Sequence, residues 1–189
     1  MQIAVPSKGR PDSTTTQNIL PSAVFYVPES ELHQYKTFLP DTKVVSIPIE
    51  VNGITKTRNW ILKNCGDYRV VFIDDDVKFH GYNLMKNKQV KRISIDSEQF
   101  WLNECEKLFD ITDQLGYKIF GIKTESSPIS QYEYYPIRFK SYVTASFMGM
   151  INDGSYYFDE NYPVKEDYEI CLRHIKDRGG ILSAQYLLS

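Results

Sequence analysis

Short apolar runs alternate along the chain with segments of helical periodicity, and this alternation is typical of an α/β fold. Runs rich in β-branched and aromatic residues predict strands at residues 3–5, 23–27, 43–48, 68–73, 118–122, 143–151 and 181–188. Apolar residues at helical spacing predict helices over residues 29–38, 55–66, 97–115 and 164–177. Ser30 and Thr55 stand where N-caps of the first two helices are expected.

The run at residues 68–73 is the strongest predicted strand, because it is almost continuously apolar. Such a run indicates a central strand that is covered on both faces. Residues 81–95 are basic and polar and predict a flexible loop, and a second loop rich in Ser, Pro and Tyr is predicted over residues 126–137. No helix follows the last apolar run, which indicates either a strand at a sheet edge or a missing carboxyl-terminal segment.

Composition fits a soluble protein of one domain, residues 1–189, with 42% hydrophobic residues and a formal net charge of -2. This charge does not require a nucleic-acid partner, although a local basic patch remains compatible with it. No window approaches the roughly 18 apolar residues of a membrane span, and the amino terminus lacks the pattern of a secretory leader. Three widely separated cysteines predict reduced thiols and a cytoplasmic location.

An acidic run, Asp74, Asp75 and Asp76, directly follows the strongest predicted strand. Ligands of open α/β sheets gather at the carboxyl ends of the strands. Adjacent carboxylates repel one another, and Mg²⁺ or Mn²⁺ relieves that repulsion while leaving coordination positions for phosphate oxygens. In an extended segment Asp74 and Asp76 point to the same side, and Asp75 points to the other. The alternative is a solvated acidic turn without a ligand.

Two further charged segments are candidates for the same site. Lys8 and Arg10 flank Gly9 after the first predicted strand and have the chemistry to meet phosphate oxygens, although a surface turn has the same composition. Glu166 and Asp167 lie in a stretch crowded with carboxylates, where one carboxylate suits the role of a general base. The alternative for this pair is favourable negative charge in the first turn of a helix.

Four segments, in order along the chain, resemble the landmarks of GT-A glycosyltransferases: IAVPSKGRP, TRNWIL, VVFIDDDV and FDENYPVKEDYEICLRH. Among small GT-A proteins, the chain most resembles the TET-associated glycosyltransferases, which are phage-type enzymes. The resemblance implies a single GT-A domain, a Rossmann-like mixed and mostly parallel sheet flanked by helices. Residues 1–80 would form its nucleotide-sugar-binding half and residues 81–189 its acceptor half, which is either complete or truncated at its carboxyl end.

The resemblance also implies roles for individual residues. Those that would hold the nucleotide-sugar donor, a UDP-sugar or another nucleotide sugar, are Pro6, Ser7, Lys8, Arg10, Arg58, Asn59, Asp74 and Asp75. Asp76 would be the first ligand of Mn²⁺ or Mg²⁺, with Asp74 near the metal or the ribose. Glu166 or Asp167, and Asp167 in preference, would be the catalytic base. Many relatives add a late metal-binding histidine, but no histidine follows His174, which lies within a predicted helix.

The function that the resemblance implies is metal-dependent transfer of a sugar to a hydroxyl acceptor, with 5-hydroxymethylpyrimidine in DNA as an acceptor. A phage-encoded enzyme of this kind would act in the host cytoplasm. Lys86, Lys88, Lys91 and Arg92 would contact the phosphate backbone, and the Tyr-rich loop at residues 126–135 would stack on an unpaired base. Both loops are alternatively solvated surface. Two other classes fit: a nucleotidyltransferase, whose Gly-rich first loop is poorly matched here, and a catalytically silent sugar-nucleotide-binding module.

Overall fold

The computed structural model describes residues 1–79, 81–86, 89–123 and 135–188, with the backbone alone for residues 83–86 and 89–91. The strands are β1 (Gln2–Pro6), β2 (Val24–Pro28), β3 (Lys43–Ile47), β4 (Arg69–Ile73), β5 (Gly81–Lys86), β6 (Gln89–Ile93), β7 (Ile119–Lys123), β8 (Ile137–Arg138), β9 (Phe147–Ile151) and β10 (Leu182–Leu188). The α-helices are α1 (Leu32–Phe38), α2 (Ile54–Asn64), α3 (Glu98–Gln114) and α4 (Glu166–Arg178).

The strands form one mixed, mostly parallel sheet in the order β3-β2-β1-β4-β9-β7-β10-β5-β6, with the short β8 paired to β10. β1, β2, β3 and β4 run parallel to one another. β9 lies antiparallel between β4 and β7, and β10 is parallel to β7. The carboxyl ends of β1, β2, β3, β4, β7 and β10 therefore meet at one edge of the sheet, where the acidic run lies.

Two apolar cores cover the two faces of the sheet. One contains Tyr35 of α1 with Trp101 and Leu108 of α3, and the other contains Ile61 of α2 and Ile170 of α4. Successive residues of β4 alternate between these cores, since Val71 and Ile73 belong to the first and Val70 and Phe72 to the second. This explains the near-continuous apolar run and confirms the central position predicted for this strand.

The predicted caps of the first two helices are wrong. Ser30 lies in a 3-10 turn at Glu29–Glu31, and the N-cap of α1 is Glu31. Thr55 lies inside the first turn of α2, where its hydroxyl donates a hydrogen bond to Tyr162 O at 2.9 Å instead of capping the helix. The N-cap of α2 is Gly53, whose φ of 95° is a conformation that glycine adopts without steric cost.

Two further expectations differ from the structure. The flexible loop predicted over residues 81–95 is a β-hairpin, β5–β6, and it lies at the far edge of the sheet, four strands beyond β4. The two strands of this basic segment, β5 and β6, are therefore not neighbours of β4 in the sheet. The last strand, β10, is not at an edge, because it pairs with β7, β8 and β5.

Some predicted features lie outside the residues that the structure describes: Lys88 and the Tyr-rich loop up to residue 134. All three cysteines are free thiols, as their spacing predicts. Within the described ranges, no helix has the length and apolar character that are needed to cross a membrane.

Candidate active site at the carboxyl ends of the strands

The loop after β1 is fastened to the rest of the site through Ser7. Its buried hydroxyl donates a hydrogen bond to Asp75 Oδ2 and shares a second one, at 2.6 Å, with the Tyr35 hydroxyl. The same Tyr35 oxygen accepts a hydrogen bond from Arg10 N at 3.2 Å, and Glu31 accepts one from Gly9 N at 2.7 Å. These hydrogen bonds to Asp75, Tyr35 and Glu31 hold the loop in place.

The three aspartates of the acidic run have different environments. Asp75 is buried, with 1% of its side chain exposed, whereas Asp74 is 41% and Asp76 56% exposed. Arg10 joins two of them, because its Nη2 lies 2.6 Å from Asp75 Oδ1 and its Nη1 lies 2.9 Å from Asp76 Oδ2. The structure thus places Asp75 in the interior, while Asp74 and Asp76 remain open to solvent.

Arg58 of α2 is the buried cation of the site, with 5% of its side chain exposed. Its Nη1 donates to Glu166 Oε1, and its Nη2 lies 3.6 Å from Asp74 Oδ1. The guanidinium also lies over the rings of Phe72 and Phe158, at 6.0 and 5.7 Å from their centroids. Burial lowers the pKa of Arg58, but Asp74 and Glu166 oppose that effect and favour the charged form.

Burial also acts on the carboxylates. It raises the pKa of Asp74, and the nearby Asp76 and Asp75 raise it further while Arg58 lowers it. The pKa of Asp75 is likewise raised by burial, with the hydrogen bond from Ser7 and the charge of Arg10 opposing the shift. A cation bound beside Asp74 would oppose this rise in pKa, because it favours the ionised carboxylate.

Asn59, predicted to contact the diphosphate, is used within the protein. Its Nδ2 donates to Phe158 O at 2.9 Å and to Glu160 Oε1 at 3.1 Å, and its Oδ1 accepts from Phe158 N at 2.9 Å. Both amide protons and the oxygen are therefore engaged. Asn59 holds the segment that leads to α4 and does not line the cleft described below.

Asp167 lies in the first turn of α4 and is partly exposed. Its Oδ2 accepts a hydrogen bond from Ala145 N at 3.3 Å and its Oδ1 accepts one from Tyr168 N at 2.9 Å. The charge of Asp167 also acts on Arg58, so the two groups are near neighbours. Beside Asp167, the exposed rings of Tyr142 and Tyr168 stack with their centroids 4.6 Å apart.

A cleft of about 610 Å³ opens at this edge of the sheet. Its apolar lining residues include Tyr26, Ile47, Pro48 and Val51. Its charged lining residues are Lys8, Arg10, Glu29, Arg58, Asp74 and Glu166. Pro6 and Ser7 also line the cleft, whereas Asn59, Asp75, Asp76 and Asp167 are not among its lining residues.

The acidic run fits a metal held by few protein ligands. The described part of the chain holds no group of three or more His, Cys, Asp or Glu side chains arranged to bind a metal. Asp74 and Asp76 are nevertheless half-exposed, and each meets an arginine through only one carboxylate oxygen. Oxygen donors of this kind suit Mg²⁺ or Mn²⁺, which keep open positions for water and phosphate oxygens.

Several residues that organise the site carry no chemical signal in the sequence. Tyr35 and Glu31 belong to an ordinary amphipathic segment, yet they fix the loop that carries Arg10. His174 is buried in α4 and has a structural role, because its Nε2 accepts from Lys118 N at 2.9 Å and its Nδ1 lies 2.8 Å from Gly180 O. His174 therefore packs α4 against the segments that precede β7 and β10, away from the acidic run.

Several solved structures superpose on nearly the whole chain. S. aureus TarS 1–349 in complex with UDP superposes with a TM-score of 0.60 at 15% identity, over 100% of this chain and 60% of that one. The mannosyltransferase PcManGT from Pyrobaculum calidifontis, in complex with GDP-Man and Mn²⁺, gives 0.61 at 11% identity, over 100% and 56%. Glucosyl-3-phosphoglycerate synthase from Mycobacterium tuberculosis gives 0.61 at 10% identity, over 98% and 69%. The fold is that of the GT-A glycosyltransferases.

The sequence then identifies the family within that class. The model of the TET-associated glycosyltransferases matches residues 1–186, and the chain belongs to this family. No curated protein matches the chain. The chain spans about 60% of the TarS 1–349 structure that it resembles.

Proposed function

We propose that this protein is a metal-dependent glycosyltransferase that moves a sugar from a nucleotide-sugar donor to a hydroxyl of its acceptor. The observation that carries this proposal is that one cleft is lined by apolar residues and by three cations, Lys8, Arg10 and Arg58, together with Asp74 of the acidic run. A nucleoside diphosphate offers matching groups, since the faces of its base are apolar and its phosphates are anionic. Membership of the TET-associated glycosyltransferase family supports the same activity.

The donor would lie with its base against Tyr26, Ile47 and Val51 and its phosphates toward Lys8 and Arg58. Guanidinium and ammonium groups bind phosphate oxygens through charge-assisted hydrogen bonds. TarS was solved with UDP and PcManGT with GDP-Man, and these ligands support a nucleotide-sugar donor for the fold that the three proteins share.

The metal would be held by Asp76 and Asp74, whose open carboxylate oxygens suit a hard divalent cation. A cation bound there neutralises charge on the departing nucleoside diphosphate. Mn²⁺ in the PcManGT complex supports this assignment. Asp75 would act differently, by fixing Ser7 and Arg10 from the interior.

Transfer would proceed by attack of the acceptor oxygen on the anomeric carbon of the sugar. That new C–O bond replaces the bond to the phosphate oxygen, which leaves with the nucleoside diphosphate. Asp167 would take the proton of the attacking hydroxyl, because it is the partly exposed carboxylate of the late acidic pair. Glu166 is buried against Arg58 and would hold that guanidinium in place for the diphosphate.

The acceptor proposed is 5-hydroxymethylpyrimidine in DNA. A group of cations supports it: burial lowers the pKa of Lys123 at the end of β7, and the charges of Arg92 and Arg138 lower it further. Positive charges gathered in this way suit a phosphate backbone. The stacked Tyr142 and Tyr168 beside Asp167 offer an exposed aromatic surface on which an unstacked base could pack.

The test is release of nucleoside diphosphate from a panel of nucleotide sugars with Mn²⁺. Each donor is assayed with DNA that contains 5-hydroxymethylpyrimidine, with unmodified DNA of the same sequence, and without DNA. Release that requires the hydroxymethyl group supports the whole proposal, and release with another hydroxyl acceptor alone would exclude the DNA acceptor. Absence of both turnover and metal-dependent donor binding would contradict the transferase. Pyrophosphate release from nucleoside triphosphate and sugar phosphate would identify a nucleotidyltransferase instead.

A further inference from the structure

Arg10 holds Asp76, one of the two carboxylates proposed to bind the metal. Its guanidinium spans two carboxylates, with Nη2 2.6 Å from Asp75 Oδ1 and Nη1 2.9 Å from Asp76 Oδ2. The contact with Asp76 is at the surface, since both side chains are about half exposed, at 51% and 56%. The contact with Asp75 is anchored in the interior, because Asp75 is buried and also accepts a hydrogen bond from Ser7.

A guanidinium and a divalent cation compete for the same carboxylate oxygens. Both bind the lone pairs of an ionised carboxylate, and two cations at a separation of a few ångströms also repel one another. Arg10 contacts Asp76 through Oδ2 and leaves Oδ1, but a metal bound at Asp76 would lie within a few ångströms of the guanidinium and would be repelled by it. The backbone of Arg10 is fixed by its hydrogen bond to the Tyr35 hydroxyl at 3.2 Å, so a release of Asp76 requires movement of the side chain alone.

We propose that Arg10 is a built-in competitor of the metal: it holds Asp76 while the donor is absent and turns to the donor diphosphate when metal and donor bind together. This inference rests on the proposed metal-dependent donor site. Arg10 lines the cleft together with Lys8 and Arg58, the two cations proposed to hold the phosphates. Its Nη1, once released from Asp76, would therefore be available to the same phosphates. Arginine suits this exchange because its planar fork matches carboxylate and phosphate oxygens equally well.

The consequence is coupled binding of the metal and the nucleotide. In the free protein the metal would have to bind beside the guanidinium of Arg10 or displace it from Asp76, so its affinity would be low. A diphosphate gives Arg10 a new partner and removes that competition. Because coupling between two ligands is reciprocal, the metal must raise the affinity for the nucleotide by the same factor.

Binding of Mn²⁺, measured from the electron paramagnetic resonance signal of the free ion, tests this inference without any need for turnover. The variants are Arg10→Gln, which lacks the charge, and Lys78→Gln, which removes the same charge from an exposed side chain two residues beyond Asp76. We expect Arg10→Gln to bind Mn²⁺ about fivefold more tightly than the wild type in the absence of nucleotide, or more tightly still. We expect Lys78→Gln to bind Mn²⁺ like the wild type, and UDP to tighten Mn²⁺ binding less in Arg10→Gln than in the wild type.

Equal Mn²⁺ affinity of Arg10→Gln and the wild type would overturn the inference, and so would an equal gain in Lys78→Gln, which would reveal a general charge effect. Asp76→Ala in both backgrounds separates this result from failure of the metal site itself. If Asp76→Ala abolishes Mn²⁺ binding, the metal assignment stands whatever Arg10 does. Arg10→Lys is a second variant in case Arg10→Gln does not fold; its single ammonium cannot span both carboxylates, and unchanged Mn²⁺ affinity in it would likewise contradict the proposal.

Discussion

At the scale of single residues, the three adjacent aspartates divide their work because the backbone gives them different surroundings. Asp75 points into the interior, where Ser7 and Arg10 compensate its charge. Asp74 and Asp76 remain open, and Arg58 meets Asp74 from the side of α2. A substitution of any one of them should therefore produce a different defect.

Asp76→Ala should remove metal-dependent donor binding while the protein stays folded, because Asp76 is more than half exposed and supports no buried group. We expect the affinity for UDP in the presence of Mn²⁺ to fall about tenfold or more, within the range of typical coupling factors. Isothermal titration calorimetry with and without Mn²⁺ measures this. Asp113→Ala, on the exposed side of α3, removes the same charge and should bind like the wild type. Unchanged binding by Asp76→Ala would contradict the metal assignment.

Asp167→Asn should spare donor binding and lose transfer, because the amide keeps the size of the side chain but cannot take a proton. We expect a loss of about 100-fold or more in turnover, which is typical for removal of a general base. Nucleoside diphosphate release and UDP affinity, measured on the same preparation, separate the two effects. Full activity of Asp167→Asn would exclude it as the base.

Glu166→Gln should have a different effect from Asp167→Asn. Glu166 is buried against Arg58, so its loss leaves the buried guanidinium with the more distant Asp74 contact, at 3.6 Å, and the charge of Asp167. Removal of one partner of a buried pair costs about 3–5 kcal/mol of stability. We therefore expect weaker donor binding and a lower melting temperature, in contrast to Asp167→Asn. A variant that is stable and binds the donor normally would contradict the positioning role of Glu166.

At the scale of elements, α4 carries the late acidic pair and is held in place by His174. Lys165, at φ 62°, adopts a left-handed conformation that turns the chain into the helix, so that Glu166 and Asp167 form its first turn. Further along, His174 contacts Lys118 N and Gly180 O, which lie before β7 and before β10. One buried side chain thus ties α4 to the ends of two strands.

His174 should make the protein sensitive to acid. Burial, assisted by the nearby charge of Arg178, lowers the pKa of His174 to about 4. The folded state therefore keeps the ring neutral, so its contribution to stability is complete above pH about 6.5, the unfolded value, and is lost as the pH falls toward 4. Thermal unfolding followed by circular dichroism from pH 7.5 to 4.5 should show a steeper loss in the wild type than in His174→Gln. Parallel pH profiles would contradict this assignment.

Elements were predictable where the signal is local. The apolar run of β4 and the helical spacing of α3 need no knowledge of distant residues, and Ser97 caps α3 with its side chain as an N-cap residue should. The β5–β6 hairpin was missed because its sequence is basic and polar, which is the composition of a loop as well as of an edge strand. Edge strands commonly carry lysine, so composition alone did not distinguish an edge strand from a loop here.

At the scale of the whole molecule, the site is assembled from segments that are distant in sequence. Arg58 and Glu166 are 108 residues apart and Ser7 and Asp75 are 68 apart, yet each pair is in direct contact. The sequence indicates which residue types gather at the carboxyl ends of the strands, because those ends are local features. It does not indicate which arginine meets which carboxylate, since that depends on the order of strands and on the insertion of β9 beside β4.

Donor and metal together should stabilise the whole protein, because the cleft joins segments from both halves of the chain. At a UDP concentration about 100 times its dissociation constant, the gain is about 2.7 kcal/mol. For a domain of this size each kcal/mol raises the melting temperature by about 2–4 °C, so we expect a rise of about 5–10 °C. Differential scanning fluorimetry with UDP and Mn²⁺ measures the shift. Asp76→Ala should show little of it, and an equal shift in this variant would contradict the proposed site.

The short segment before β9 has a consequence for the geometry of transfer. Ser146 O accepts a hydrogen bond from Asp74 N at 3.1 Å, and its neighbour Ala145 donates one to Asp167 at 3.3 Å. Two consecutive residues therefore connect the group proposed to hold the metal with the group proposed to take the proton. An insertion or deletion in this segment would change the distance between Asp74 and Asp167, and with it the distance between the leaving diphosphate and the attacking hydroxyl.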